Sequence, residues 1–187
     1  MAFTTQITKG QYILFNQQPH HIVEKEFVSP GKGSAFTRVK MQNLVTGSLV
    51  AFTFKSGEKV NQIEVNINEY QYLYNENSLY TFMDNTTYEQ ISLPKEAIGS
   101  FTKLIKEGEN YLIMIYDNNP IGFKTPLKVV REIVKTTDTV KGNSATDATK
   151  KAILDVGYEL DVPMFIQVGD KVSVNTQTGK YSDRVTN

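Results

Sequence analysis

The chain has 187 residues, 40% of them hydrophobic, and its 20 Lys and Arg side chains balance 20 Asp and Glu side chains. This composition is typical of a folded globular protein, and the zero formal charge argues against a protein that coats nucleic acid indiscriminately. The sequence contains no cysteine, which excludes disulfides, thiolate metal sites and cysteine nucleophiles.

The hydropathy pattern predicts a cytoplasmic protein with no membrane partner. No segment reaches the roughly 20 consecutive apolar residues that span a bilayer. The first six residues, Met1–Gln6, also lack the basic and apolar regions of a signal peptide.

Charge is distributed unevenly along the chain. Lys and Arg outnumber Asp and Glu by seven to four in residues 1–65, whereas the ratio is four to eight in residues 66–126 and nine to eight in residues 127–187. A basic first third favours a polyanionic partner for that part. A random scatter of solvated charge explains the same asymmetry about equally well.

Apolar residues recur with a period of two, which predicts mainly short β-strands. The strands predicted in the first third are Tyr12–Phe15, His21–Val28, Ala35–Leu44, Leu49–Lys55 and Ile63–Ile67. Those predicted in the middle third are Tyr70–Tyr74, Leu79–Asp84 and Tyr111–Tyr116, with turns at Asn75–Ser78 and Asp117–Pro120. Those predicted in the last third are Val129–Thr136, Leu160–Val168, Lys171–Asn175 and Lys180–Val185.

Two segments depart from the strand pattern. Leu93–Glu107 has apolar residues near helical spacing after Pro94 and stops at Gly108, which predicts a short helix that Gly99 kinks. Val140–Lys151 is rich in small polar residues and predicts a long polar loop.

The overall pattern predicts an all-β protein of three small β-barrels. Breaks at residues 63–66 and 126–128 give domains at 1–64, 65–127 and 128–187, with the short helix in the middle domain. Barrels leave no exposed sheet edges. Because domains this small bury only about 60% of their unfolded surface, we expect the first two to support each other.

A hairpin tip between two predicted strands holds a single lysine. Pro30 presets one backbone angle, and Gly31 and Gly33 permit positive φ and leave Lys32 free to approach a polyanion. The alternative is a turn whose lysine only maintains solubility. The tip residues are Ser29, Pro30, Gly31, Lys32, Gly33 and Ser34.

Catalytic and metal-binding motifs are absent from the sequence, so we predict neither an enzyme nor a metal or cofactor site. The chain has no HExxH helix, phosphate loop, dinucleotide fingerprint or nucleophile elbow. His20 and His21 are adjacent, so in a strand they would point to opposite faces, and we expect them at a turn or on the surface. The remaining candidates for paired carboxylates all sit at turns or strand ends: Asp84, Glu89, Asp117, Asp161 and Asp170.

The densest aromatic group lies in the middle third. Aromatic side chains interleaved with cations can stack single-stranded bases, but this third is the most acidic, which favours packing for most of the group. Its members are Tyr70, Tyr72, Tyr74, Tyr80, Phe82 and Tyr88.

The residues around the lysine hairpin resemble the bacterial translation elongation factor P family, and the resemblance continues in order along essentially the whole chain. The similar segments are Glu26–Lys40, Leu44–Gly47, Thr53–Glu58, Tyr80–Gln90, Val162–Val172 and Thr178–Tyr181.

This resemblance implies an L-shaped molecule in which an SH3-like (KOW-type) domain is followed by two OB-fold domains. It implies binding to both ribosomal subunits between the peptidyl and exit sites when synthesis stalls at consecutive prolines, with Lys32 extended toward the acceptor end of the peptidyl-tRNA. Many family members lengthen this lysine with a β-lysyl or aminopentanol group, which implies a lysine-modifying enzyme as a partner, whereas other lineages use arginine or a bare lysine.

The sequence departs from the family pattern at two places. Ser29 stands where many relatives have a second lysine. Gly142, Asn143 and Ser144 occupy the loop that commonly reads Gly-Asp-Thr and faces messenger RNA at the exit site. By analogy, Tyr181 and Arg184 contact the small subunit, although strand-end packing explains Tyr181 equally well.

Two alternatives remain at this point. A general single-stranded RNA-binding OB-fold protein would explain the aromatic residues and the basic first third, and an elongation factor P-like paralogue would share the fold. For the leading hypothesis we expect a monomer.

Overall fold

The computed structural model describes residues 2–137 and 149–185, which form three antiparallel β-sheets joined by very little helix. They make up two compact units. The first comprises the residues through Gly99 together with Gly108–Lys124, and the second comprises Ser100–Glu107 together with the residues from Thr125 onward.

The first sheet has six strands in the order β1-β6-β2-β3-β4-β5. Thr4 joins its two ends, because its amide donates to the Glu58 carbonyl at 3.0 Å and its hydroxyl donates to the Lys55 carbonyl at 3.1 Å. The strands are β1 (Ala2–Phe3), β2 (Tyr12–Phe15), β3 (Gln18–Val28), β4 (Phe36–Asn43), β5 (Leu49–Lys55) and β6 (Lys59–Ile63). Inward-facing residues form its core: Ile7, Ile13, Ile22, Val39, Met41, Phe54 and Val60.

The second sheet has five strands in the order β11-β10-β7-β8-β9, and its end strands β9 and β11 approach each other. The elements are β7 (Asn66–Glu76), β8 (Leu79–Asp84), β9 (Gln90–Pro94), α1 (Lys95–Ile98), β10 (Asn110–Tyr116) and β11 (Asn119–Lys124). Ring contacts at centroid distances of 5.4 to 6.1 Å fill the interior: Tyr72 with Tyr80 and Phe82, and Phe123 with Phe82 and Tyr111.

A separate apolar cluster connects these two barrels within the first unit. Leu44 from the first barrel is buried with Met114 and Ile121 from the second. Gly122 allows the close approach, since a Cβ there would lie 3.2 Å from the Leu44 carbonyl oxygen. Such burial gives each small barrel apolar contacts that it lacks alone.

The third sheet has five strands in the order β14-β13-β12-β15-β16, and its end strands also approach each other. Arg131 is buried in this unit and donates to the Leu104 carbonyl from Nε at 2.9 Å and Nη2 at 2.6 Å, which ties Ser100–Glu107 to the barrel. The strands are β12 (Lys128–Thr136), β13 (Thr149–Leu154), β14 (Glu159–Pro163), β15 (Lys171–Asn175) and β16 (Tyr181–Val185).

The all-β prediction is therefore confirmed, but several element boundaries are not. The predicted helix over Leu93–Glu107 is wrong in length. Its first residues belong to β9, only Lys95–Ile98 are α-helical, and Gly99 at φ 66° turns the chain into a 3₁₀-helix over Gly99–Lys103. The kink predicted at Gly99 is thus present.

Two strand predictions and the prediction of the polar loop also need correction. The predicted strand Ile63–Ile67 is divided between the end of β6 and the start of β7, and the one predicted over Leu160–Val168 ends at Pro163. Proline ends a strand because it has no amide hydrogen to donate to a neighbour. The last residues of the predicted polar loop, from Thr149, belong to β13, which pairs with strands on both sides.

The two histidines are not at a turn or on the surface. Both lie in β3, where His20 is buried edge-on against Phe15 and its Nδ1 is 2.8 Å from the Gln18 carbonyl oxygen. His21 is half-buried beside Tyr12, and burial, followed by the charge of Lys9, lowers the pKa of its imidazole. Among the described residues, no helix is long and apolar enough to cross a membrane.

Candidate functional site

The lysine hairpin consists of strands β3 and β4 and the seven residues between them. The last cross-strand pair is Val28 with Phe36, so residues 29–35 form a tip loop with Lys32 at its centre. Residues 29–34 are all exposed. The tip geometry thus agrees with the sequence-based expectation of a lysine displayed at a turn.

Only one of the two glycines beside Lys32 uses its conformational freedom. Gly33 has φ 105°, a region that side chains rarely adopt, and a Cβ there would lie 4.0 Å from Pro30 Cγ. Gly31 has no positive φ, and nothing lies within 4 Å of the position that its Cβ would occupy. The expectation of left-handed backbone therefore applies to Gly33, whereas Gly31 contributes open space.

Most charge on the hairpin stem is already paired. Arg38 Nη1 lies 3.5 Å from Glu26 Oε2, and Lys40 Nζ lies 3.5 Å from Glu24 Oε1. Lys32 has no hydrogen-bond or ion-pair partner within the described parts of the chain. Lys32 is therefore the one lysine or arginine of the hairpin with neither a carboxylate nor a carbonyl partner among the described residues.

The stem is fixed to the barrel on both sides. Lys25 Nζ donates to the carbonyl oxygens of Thr5 at 3.0 Å and Ile7 at 2.6 Å, and the Ser56 amide donates to the Ala35 carbonyl at 3.0 Å. Hydrogen bonds from a charged donor are stronger than neutral ones. These contacts hold the stem and the base of the tip loop, whereas Lys32 at the apex has no hydrogen-bond or ion-pair partner in the described parts of the chain.

The sequence did not reveal this bracing. In the sequence, Lys25 resembles any solvent-exposed lysine of a strand. The two carbonyl groups that accept its hydrogen bonds belong to residues 18 and 20 positions away. The paired Glu24 and Glu26 give a partial signal, because opposite charges at cross-strand positions predict neutralised neighbours.

The predicted site residues of the third barrel are placed only in part. Arg184 Nη2 lies 2.6 Å from Asp170 Oδ1, yet 47% of its side chain is exposed. Tyr181 is half-buried at the start of β16, and burial raises the pKa of its hydroxyl. Gly142, Asn143 and Ser144 lie outside the described residues.

The packing interpretation of the aromatic group is confirmed for most of its members. Tyr70, Tyr72, Tyr80 and Phe82 are buried in the second barrel. The two exceptions are Tyr74 and Tyr88, which are 46% and 72% exposed. The buried rings are unavailable for stacking on nucleic-acid bases.

Within residues 2–137 and 149–185, no group of three or more His, Asp or Glu side chains is placed to hold a metal ion. Three of the five carboxylates considered at the sequence level have local partners instead, and one of these, Asp161, lies 3.0 Å from Lys151 Nζ. Asp84 Oδ1 accepts from the amides of Thr86 and Thr87, and Asp170 Oδ2 accepts from the amide of Gln167.

Comparisons with known proteins give one consistent result. Three family models match in order: the Elongation factor P (EF-P) KOW-like domain over residues 4–60, the Elongation factor P (EF-P) OB domain over residues 65–123, and Elongation factor P, C-terminal, over residues 129–184.

Full-length relatives carry the same name. Elongation factor P of Moorella thermoacetica is 41% identical over 184 residues, covering 98% of this chain and 100% of the relative. Elongation factor P of Christiangramia forsetii is 41% identical over 187 residues, covering 99% of each. Among solved structures, eukaryotic translation initiation factor 5A from Methanococcus jannaschii has a similar fold, with a TM-score of 0.50 at 22% identity over 66% of this chain and 92% of that one.

Proposed function

Because the chain belongs to the elongation factor P family of translation elongation factors, we propose that it binds the ribosome between the peptidyl and exit sites and accelerates peptide-bond formation at consecutive prolines. Lys32 acts by positioning the acceptor end of the peptidyl-tRNA. The partners are both ribosomal subunits, the peptidyl-tRNA and exit-site messenger RNA, and the protein acts as a monomer.

One observation carries this proposal: Lys32 is exposed and unpaired among the described residues, on a stem whose other cations are all engaged. An ammonium group with no internal carboxylate keeps its full attraction for phosphate and ribose oxygens. A braced stem also reduces the ordering entropy that a flexible loop would lose on contact.

Proline explains why positioning suffices. Its ring fixes φ and its nitrogen is a secondary amine, so the reacting groups are poorly aligned when both partners are proline. A tenfold acceleration requires only about 1.4 kcal/mol. One charge-assisted hydrogen bond contributes roughly 1.5 to 3 kcal/mol, which is enough without any catalytic side chain.

Lys32 is also the proposed modification site. Gly31 borders open space, Gly33 has only Pro30 Cγ nearby at 4.0 Å, and Lys32 is exposed, so an enzyme can reach the amine without unfolding the hairpin. A β-lysyl or aminopentanol extension would lengthen the reach of the cation. Ser29, the first residue of the tip, is neutral where many relatives have a lysine. A modifying enzyme therefore has one positive charge fewer to recognise.

The third barrel supplies the proposed contacts with the small subunit. Tyr181 and Arg184 lie together on β16, and the loop with Gly142, Asn143 and Ser144 would face messenger RNA. The exposed half of the Arg184 side chain is sufficient for a phosphate contact while Asp170 holds the rest.

A reconstituted translation reaction on a template with three consecutive proline codons tests the proposal. The native protein should relieve the stall, Lys32→Ala should lose at least about nine-tenths of the effect, and Lys59→Ala, which removes another exposed lysine of the same barrel, should retain it. Equal relief by Lys32→Ala and wild type would contradict the role of Lys32. No relief by protein purified from its own host would contradict the proposed function itself.

A further inference from the structure

Tyr88 has an unusual backbone conformation for its residue type. Seven non-glycine residues among those described have positive φ, and six are Asn, Asp, Gln or Ser in the two-residue turns of three hairpins. The seventh is Tyr88, at φ 59°. An aromatic residue in this region is strained, because its Cβ crowds the backbone where glycine or asparagine would not.

The surrounding loop, residues 84–89, holds this conformation in place. The Tyr88 amide donates to the Asp84 carbonyl at 2.9 Å, the Asp84 amide donates to the Glu89 carbonyl at 3.0 Å, and the Asn85 side chain donates to Asn110 Oδ1 at 3.1 Å. Residues 84–89 are called the Tyr88 loop. Strain that persists in a loop fixed by so many bonds is a feature of functional sites.

The strain does not serve packing. Tyr88 is 72% exposed, and its ring and hydroxyl have no hydrogen bond, ion pair or ring contact among the described residues. The neighbouring residues 85–90 are exposed as well. The loop therefore holds an aromatic face in solvent at a cost in stability.

The charges around Tyr88 are negative. Asp84 and Glu89 flank it in the loop, and both raise the pKa of the Tyr70 hydroxyl, after the larger effect of burial. Glu89 has no side-chain partner among the described residues. Glu69 and Glu109 lie on the strands and turn that adjoin the loop.

The five strands of this sheet carry a single cation, Lys124 at the end of β11. Lys124 is opposite Leu112, which is opposite Glu69, so two strand spacings, roughly 10 Å, separate Lys124 from Glu69. An exposed aromatic face beside several carboxylates attracts a cation and repels phosphate.

We propose that the Tyr88 loop is a docking point for an arginine-bearing segment of a basic ribosomal protein, with the guanidinium over the Tyr88 ring and the Glu89 carboxylate beside it. Arginine fits better than lysine because its planar guanidinium stacks on an aromatic face and pairs with a carboxylate at the same time. The inference rests on the proposed function, since it places the partner on the ribosome. It gives the acidic second barrel a protein contact, distinct from the RNA contacts of Lys32.

Photo-crosslinking on the ribosome distinguishes the occupants. A benzoylphenylalanine placed at position 88 of the full chain, bound to purified ribosomes stalled at three prolines, should form adducts with a ribosomal protein at an arginine-containing peptide. The same group at Tyr74, an exposed tyrosine of the same barrel, should not form that adduct. Adducts with ribosomal RNA or tRNA would overturn the inference in favour of base stacking, and a bound factor without any adduct at position 88 would overturn it too.

Binding measurements with variants add a quantitative test. Tyr88→Ala should raise the dissociation constant for stalled ribosomes by roughly 2- to 30-fold, whereas Tyr88→Phe, which keeps the ring, should leave it nearly unchanged. Glu89→Gln should weaken binding by a smaller factor, and that loss should shrink as salt concentration rises. An unchanged dissociation constant for Tyr88→Ala would refute the inference.

Tyr88→Asn separates a binding role from a structural one. Asparagine tolerates positive φ, so the melting temperature should rise while ribosome binding weakens. A tyrosine needed for folding would show a lower melting temperature instead. If the wild-type protein fails to sediment with ribosomes, the proposed function and this inference both fail, whereas sedimentation without the position-88 effects removes the inference alone.

Discussion

The tip loop of the lysine hairpin and the Tyr88 loop both present one side chain to solvent, but they do so by opposite means. Lys32 is centred in its loop and has no hydrogen-bond or ion-pair partner among the described residues, and glycine occupies the position that needs positive φ. Tyr88 is held by a dense set of hydrogen bonds, and the position that needs positive φ carries an aromatic residue.

The difference shows what each display requires. A lysine on a loop needs only that the base of the loop is fixed and that its apex is accessible, because the flexible side chain can adjust to the position of the acceptor. An aromatic face must meet its partner at a defined angle, so the backbone beneath it has to be rigid even at a cost of about 1 to 2 kcal/mol. We therefore expect substitutions in the two loops to have different effects on activity, binding and stability.

The largest expected difference appears when factor concentration is varied in the triple-proline reaction. Lys32→Ala should lose at least about tenfold in relief at every concentration, because the contact that accelerates the bond is gone. Tyr88→Ala should recover full relief at high concentration, because only affinity is lost. A Lys32→Ala protein that recovers at saturation would show that both loops merely bind.

The second expected difference concerns the bracing of the hairpin. Lys25→Met removes a charged donor from two backbone carbonyls and should lower the free energy of unfolding by about 1 to 3 kcal/mol. Lys40→Met removes only an exposed ion pair of the same stem and should cost about 0 to 1 kcal/mol. Denaturant titration of both variants measures this difference, and equal losses would contradict the bracing.

The smallest expected difference lies between the two tip glycines. Gly33→Ala introduces the kind of strain that Tyr88 already carries and should cost about 1 to 2 kcal/mol while distorting the tip. Gly31→Ala should change stability by less than about 0.5 kcal/mol, because its backbone and surroundings accept a methyl group. Thermal unfolding of the two variants measures this difference. A larger loss of stability for Gly31→Ala than for Gly33→Ala would contradict the roles given to the two glycines.

The parts of the fold that depend on neighbouring residues in sequence could be predicted. Alternating apolar residues and Gly or Asn turns predicted most of the sheet strands, the lysine hairpin and the turn that the structure places at Asn77 and Ser78. The aromatic group was correctly assigned to packing for most members, because large apolar rings favour a core even among acidic neighbours.

Features that depend on distant residues could not be predicted. Strand β13 begins in a polar, lysine-bearing stretch and exists because β12 and β14 pair with it on both sides. Strand β9 runs directly into α1, so Leu93 and Pro94 look like the start of a helix when their pairing with β8 is unknown. The hydrogen bonds from Lys25 to the carbonyl oxygens of Thr5 and Ile7 could not be predicted for the same reason, because these residues are distant in sequence.

The candidate site shows the same division. Lys32 is recognisable because its surroundings, Gly31 and Gly33, are adjacent in sequence. Tyr88 is not recognisable in this way, since its exposure and its positive φ follow from bonds to Asp84 and from the Asn85 contact with Asn110. Sequence patterns alone therefore identify Lys32 as a candidate site residue but do not identify Tyr88.

The central claim is that one unpaired amine on a braced hairpin accelerates a bond that the ribosome forms. The most direct test is the single-turnover rate of bond formation between a prolyl-peptidyl-tRNA and prolyl-tRNA, measured at saturating factor. Wild type should raise this rate, Lys32→Ala should leave it within about twofold of the rate without factor, and Lys59→Ala should match wild type. A Lys32→Ala protein that accelerates the bond as wild type does would contradict the claim.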